Sequence, residues 1–249
     1  MGAIKLDDIS TKAPGNLEKD KVKQQNLELA EELNELQNLL YAESKHSVLV
    51  IIQGMDASGK DGAIRKVFGN LNPQGVRVES YKAPTARELS HDFLWRIHRD
   101  TPAKGMIQVF NRSQYEDVLI TRVHKMIDDE TAVKRMKAIN DFENLLKEHN
   151  NTSILKFYLH ISKEEQAKRL QERLDDKTKQ WKYNEADFTE AKLWKLYMKA
   201  YEDCFHTCNK IPWTIVPSDN NWYKEHIIAT TLRDTLKSLK MRYPGLKKE

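Results

Sequence analysis

The stretch Gly54 to Gly62, "GMDASGKDG", sets Gly54, Gly59 and Lys60 in the spacing G-x-x-x-x-G-K. That pattern suits a phosphate. Backbone N–H groups of a glycine loop that opens a helix converge on an anion, the helix dipole favours its charge, and a lysine adds a point charge. Gly54, Ala57, Ser58, Gly59, Lys60, Asp61 and Gly62 are therefore candidate phosphate contacts. One part is out of pattern: Asp61 stands where a Ser or Thr hydroxyl ordinarily helps to hold magnesium. A carboxylate beside a phosphate repels it unless a divalent cation lies between them, and Asp56 inside the loop raises the same difficulty. Acids in such a loop make chemical sense as metal ligands. The competing explanation is a glycine-rich strand-to-helix turn with an exposed lysine.

A second group of chemically capable residues follows at "FNRSQYEDV", Phe110 to Val118. Asp117 and Glu116 fall just past a predicted strand, and ligands of parallel sheets gather outside the carboxyl ends of the strands. Asp56 and Asp117 are thus candidates to share one magnesium ion, with Glu116 as a further ligand. Asn111 and Arg112 stand beside them, and Arg112 could offset charge on a transferring phosphoryl group. The alternative is an ordinary helix-surface pair, since Arg112 and Glu116 are four apart. A third group, "KRLQERLDDKTKQWK" (168–182), sets Arg169 and Arg173 on one helix face, with Lys177, Lys179 and Lys182 after it. It reads either as a solvated charged helix or as a mobile lid that brings cations down on a polyanion and excludes water.

These groups need elements to position them. "SVLVIIQ" (47–53) is a continuous β-branched run of the kind buried on both faces of a parallel sheet. Further strands are predicted at 76–81, 105–110, 153–161 and 213–217, with helices at 86–99, 114–126, 130–149, 163–175, 189–207 and 222–240. This alternation predicts a doubly wound α/β fold around a five-stranded parallel sheet. Ser162 and Glu165 have the spacing of a capping box. Residues 1–16 read as a loose N-terminal arm and 17–249 as a single domain. From about residue 16 to 47 the pattern is helical, with Leu29, Leu33, Leu36 and Leu40 on one face. That stripe serves a helix packed on its own domain or a short coiled-coil seam.

Composition narrows the class. The chain has 249 residues and a formal net charge of +4, too small a surplus to argue for nucleic acid. No stretch approaches the roughly 20 apolar residues of a membrane span. "MGAIKL" has Leu6 where a myristoylation signal has Ser or Thr, and the first residues lack a signal-peptide core. The two cysteines, Cys204 and Cys208, read as core thiols in a reducing compartment. The expectation is a cytoplasmic protein with neither membrane nor nucleic-acid partners.

With these groups assembled, the chain closely resembles the family-2 polyphosphate kinases. The resemblance is carried by "GMDASGKDGAI", "NPQGVRVESYKAPT", "ELSHDFLWRIHRDTPAKGMI", "FNRSQYEDVLITRVH", "LKFYLHISKEEQAKRL", "QWKY", "YEDCFHTCN" and "PWTIVPSDNNWY", in order from about residue 47 to 225. It implies a P-loop kinase-like fold with a helical lid at about 163–188. It also implies reversible, magnesium-dependent transfer of a phosphoryl group between inorganic polyphosphate and ADP to make ATP, with AMP as a further acceptor, by a homo-oligomer. By position, Asp56 and Lys60 match the family's loop acid and lysine, Asn111, Arg112, Glu116 and Asp117 its second acidic motif, and Arg169 and Arg173 its lid arginines. Asp61 also matches the family. Lys66, Lys82, Arg122 and Lys179 are candidates to line a polyphosphate channel. Gln114 departs from the usual His and is expected beside the site, and "HTCNKIPW" departs from a Ser/Thr-rich version near the nucleobase. Two other readings share the loop and lid: an ATP-dependent nucleoside or nucleotide kinase, and a non-catalytic P-loop switch protein acting through its leucine-faced helix.

Overall fold

In the computed structural model, which describes residues 4–246, five strands form one parallel sheet. They are β1 (Ser47–Gln53), β2 (Val76–Ser80), β3 (Ile107–Asn111), β4 (Thr152–His160) and β5 (Trp213–Pro217), in the spatial order β2-β3-β1-β4-β5. Every residue of β1 is buried, as its uninterrupted apolar run requires. Leu49 and Ile51 enter one half of the core with Phe110 and Tyr158, while Val48, Val50 and Ile52 enter the other with Val109 and Phe157. The sheet is thus covered on both faces.

Helices α1 (Lys19–Glu43) and α2 (Lys60–Phe68) cover one face, together with a C-terminal helix, Asn221–Ser238. Leu29, Leu33 and Leu40 are buried, with Leu36 half-buried, in the cluster that also holds Ile228, Leu232 and Leu236 of that helix. The leucine stripe therefore serves the domain's own core and leaves no exposed seam. The predicted helix at 86–99 is interrupted, giving α3 (Ala86–Leu89) and α4 (Trp95–Arg99). Thr85 and Glu88 form a full capping box on α3, and Asp92 then accepts from Leu94 N–H, an Asx-type turn that competes with helix. The predicted helix at 114–126 is likewise a 3₁₀ turn, Gln114–Val118, followed by α5 (Ile120–Val123). Helices α6 (Asp129–Asn150) and α7 (Lys163–Asp175) follow, the first on the far face of the sheet, then α8 (Glu185–Lys192), α9 (Trp194–Thr207) and the C-terminal helix as α10. At α7 only half of the predicted capping box forms. Ser162 Oγ accepts from Glu165 N–H, but the Glu165 carboxylate accepts from Arg169 instead.

The arm expected to be loose is docked over its described residues. Leu6 is buried in a helical turn and its N–H donates to Glu202. The His160 Nε2 lies 3.1 Å from both Leu6 O and Ile9 O. Thr11 Oγ1 donates to Asp219 and Ala13 N–H donates to Asn220. Leu6, with Ile4 packed against the same core, and hydrogen bonds from both backbone and side chain hold it, a combination that composition alone does not reveal. Among the described residues no helix is long and apolar enough to cross a membrane. Cys204 and Cys208 are buried free thiols.

Under the second motif lies a buried ion pair. Lys156 and Glu143 are both buried, and Lys156 Nζ donates to Glu143 at 2.7 Å and to Cys208 O and Tyr115 Oη at 2.9 Å. Tyr115 Oη and Gln114 Nε2 donate in turn to Glu143. Gln114 thus lies beneath the site and anchors the 3₁₀ turn from below. Lys156→Met strands the Glu143 charge and should lower stability by about 3–5 kcal/mol, a fall in Tm of roughly 10 °C. The joint variant Lys156→Met with Glu143→Gln should recover part of it, as read by thermal unfolding.

Candidate active site

All the functional loops leave the carboxyl edge of the sheet, because every strand runs the same way. The glycine loop joins β1 to α2 and closes with Ser58 N–H donating to Met55 O. Gly59 has φ +92° at the helix entrance, a conformation that favours glycine. Ala57 at φ 61° and Arg112 at φ 65° also occupy the left-handed region, at about 1–2 kcal/mol each. Among the described residues six non-glycine residues have positive φ, and two of them, Ala57 and Arg112, lie in the two loops that face each other.

Those loops meet through charge. Arg112 Nη2 donates to Asp56 Oδ1 at 2.5 Å, and its Nη1 lies 3.6 Å from Glu116 Oε2. One guanidinium therefore stands between an acid of the first loop and an acid of the second. Gln53, with both amide ends satisfied, donates to Glu116 and accepts from Ser113, which fixes the second acid from beneath. Lys60 Nζ folds back on the loop and donates to Gly54 O at 2.8 Å and Met55 O at 3.1 Å. Burial and the neighbouring Arg112 draw the Lys60 ammonium down to about 8, against the opposing pull of Asp56. Burial pushes the Asp56 carboxyl up, but Lys60 and Arg112 together outweigh it and hold it below the usual range. Asp61 accepts from Asn111 Nδ2 at 2.8 Å and lies 4.0 Å from Lys182 Nζ. It ties the start of α2 to the end of β3 and to the segment after α7.

Asp117 faces other cations. Its oxygens lie 3.9 Å from Arg96 Nη2 and 3.7 Å from Arg135 Nη1, and Oδ2 is a buried atom with no hydrogen-bond partner. Burial pushes its carboxyl up to about 6 despite both arginines. Among the described residues no three His, Cys, Asp or Glu side chains gather into one cation site. Magnesium does not require three, since it is usually held by one or two carboxylates together with substrate phosphates. The hard oxygens of Asp56 and Glu116 and the unpartnered Oδ2 of Asp117 fit such an ion chemically.

The two arginines of α7 expected to serve a lid differ. Arg173 pairs with Asp187 of α8, and its charge is felt at Asp56. Arg169 directs all five guanidinium N–H groups at protein oxygens: Nε at Glu165, Nη1 at Ala57 O and Ser58 O, and Nη2 at Ser218 O and Asp219 O. Expected at a phosphate, it instead ties the glycine loop to the end of β5, and in this structure no N–H remains for an anion. Gln166 adds a bond to Asp56 O. The channel candidates are dispersed. Lys66 and Lys82 are exposed without an ion pair among the described residues, Lys179 pairs with Glu172 and Asp176, and Arg122 pairs with Asp129 and Asp203. Ser58 Oγ is buried without a partner. Sequence reasoning missed Arg96, Arg135, Asp187 and Lys224. The first two lie in segments singled out only for resemblance or helix formation, and Lys224 carries no motif signal.

A family model described as "Polyphosphate kinase 2 (PPK2)" matches residues 16–244. An AMP/ADP-polyphosphate phosphotransferase of Meiothermus ruber is 48% identical over 214 residues, 85% of this chain and 80% of that protein. An ADP-polyphosphate phosphotransferase of Rhodopseudomonas palustris is 47% identical over 228 residues, 86% of this chain and 78% of that protein. The crystal structure of a polyphosphate kinase 2 from Arthrobacter aurescens TC1 superposes with a TM-score of 0.96 at 41% identity, covering 100% of this chain and 91% of that one.

Asp117 makes stability depend on pH. Its carboxyl is raised in the folded state, so the fold holds the extra proton between about pH 4 and pH 6 and loses stability as pH rises through that window. Asp117→Asn removes the buried charge. The variant should melt several degrees above the wild type at pH 7.5, a gain of up to about 3 kcal/mol, and close to it at pH 4.5.

Proposed function

The chain belongs to the polyphosphate kinase 2 family, and on that premise we propose that it transfers a phosphoryl group reversibly between inorganic polyphosphate and ADP, making ATP, with AMP as a second acceptor. The observation that carries this reading is the meeting of Asp56 with Arg112 and Glu116 across the glycine loop. It concentrates a lysine, an arginine and acids where a helix N-terminus already favours phosphate.

In the forward direction an oxygen of the ADP β-phosphate attacks the terminal phosphorus of polyphosphate. The P–O bond to the next phosphate breaks, and a chain one unit shorter leaves. The attacking oxygen is already ionised at neutral pH, so no general base or protein nucleophile is required, and catalysis is positioning and charge stabilisation. Lys60 and the loop N–H groups grip phosphate oxygens. Substrate oxygens offer Lys60 better acceptors than the two carbonyls it now uses, and their charge restores its ammonium. Arg112 turns from Asp56 toward the equatorial oxygens of the moving group, and Arg173 approaches with the lid. Asp56, with Asp117 and Glu116, would hold a magnesium ion, which would supply neutralisation of phosphate charge. Lys66, Lys82, Arg122 and Lys179 extend the positive field along a linear polyanion, whose binding weakens as salt rises.

Purified protein given polyphosphate and ADP, with magnesium and no added ATP, should form ATP. With AMP in place of ADP, chromatography should show ADP first. No product in either arm would refute the reading. Arg112→Ala and Asp117→Asn should each lower kcat by at least about 100-fold while remaining folded by circular dichroism, a loss typical of a single transition-state charge. Retained turnover in Asp117→Asn would remove that residue from the site.

A further inference from the structure

Lys224, on the first turns of α10, is buried and lies outside every motif that marks the site. Its Nζ donates to Ser58 O at 3.0 Å and to Asn221 Oδ1 at 2.9 Å. Ser58 O also accepts from Arg169 Nη1 at 3.2 Å. Two cations from two different helices therefore converge on one carbonyl of the glycine loop. Gly59 permits this, because a Cβ at that position would collide with Lys224 Nζ.

The consequence follows from peptide geometry. In a trans peptide the C=O and the following N–H point in opposite directions. Fixing Ser58 C=O toward Lys224 and Arg169 turns Gly59 N–H to the opposite side of the loop, and among the described residues that N–H has no acceptor. Donors on the carbonyl also polarise the peptide and strengthen its N–H as a donor. We propose that Lys224 is a positioning residue that, with Arg169, clamps the Ser58–Gly59 peptide so that Gly59 N–H is held ready for a substrate phosphate.

The environment agrees with a role other than stabilisation. Burial, with Arg169 and Lys60 nearby, draws the Lys224 ammonium down to about 7, opposed by Glu225 and Glu165. A cation held against its own solvation weakens the fold, and its retention beneath the loop points to function.

The proposal rests on the kinase reading, and tripolyphosphate binding separates the two. Lys224→Met keeps the bulk of the stem and removes the donor. It should bind tripolyphosphate and ADP about tenfold more weakly by calorimetric titration, lose kcat by a similar factor, and melt at or above the wild-type temperature. Lys224→Arg, which restores a charged donor, should return binding to within about threefold of wild type. Wild-type binding and kcat in Lys224→Met would overturn the clamp. So would a lowered melting temperature with binding that Lys224→Arg does not restore, the mark of a purely structural residue. A wild-type protein that binds tripolyphosphate but forms no ATP would refute the kinase reading and leave the clamp to be judged by binding. A wild-type protein that binds neither probe would overturn both.

Discussion

Arg169 is the tie on which the geometry of the site depends. Two of its five acceptors are carbonyls of the glycine loop, two are carbonyls just beyond β5, and the fifth is Glu165 on its own helix. The parallel sheet delivers these segments to one edge, but a sheet fixes only where a loop begins. The shape of residues 54–59 is set by groups that hold their carbonyls outward. A guanidinium suits that task because its planar fork presents five donors at fixed angles, where a lysine presents a single rotating head.

Around that tie the site is internally neutralised. Arg112 is engaged by Asp56 and Glu116, Arg173 by Asp187, and Lys60 by two carbonyls. Each cation therefore has a protein partner weaker than a phosphate. On the proposed reading a bound polyanion would exchange these contacts for stronger charge-assisted ones, and the acids released from Arg112 would be free to face a cation. Such an arrangement lets a strongly positive site remain folded without a permanent ligand, since like charges are held apart by their own acids. On that reading the acids would belong to the phosphate site although they repel phosphate.

The sheet was legible in the sequence because its signal is local. β1 and β5 coincide with the predicted runs, and the β-branched residues of β1, all buried, leave few other conformations. The glycine loop, Asp56, Lys60 and the acidic motif were legible for the same reason, each being a short string with its own chemistry. Helices 86–99 and 114–126 were predicted too long because side-chain caps at Thr85, Asp92 and Ser113 outweigh propensity over so few residues. The hydrogen-bond partner of Asp61 is not legible in the sequence, because Asn111, which donates to it, lies 50 positions away. Arg169 was expected at a phosphate, but four of its five acceptors are backbone oxygens, and no sequence pattern announces which carbonyls turn outward. Lys224 and the docking of the arm belong to the same class.

The described residues of the arm extend the folded unit beyond the span of the family match. The family match starts at residue 16, whereas Leu6, Thr11 and Ala13 are already fastened to α9 and to the loop after β5. Thr11 and Ala13 grip Asp219 and Asn220, neighbours of the very carbonyls that Arg169 uses. A boundary drawn from the family model would therefore cut away contacts that are linked to the glycine loop through Asp219 and Arg169. The family model thus stops short of contacts that the fold makes, whereas the Arthrobacter aurescens structure, which covers 100% of this chain, spans them as well.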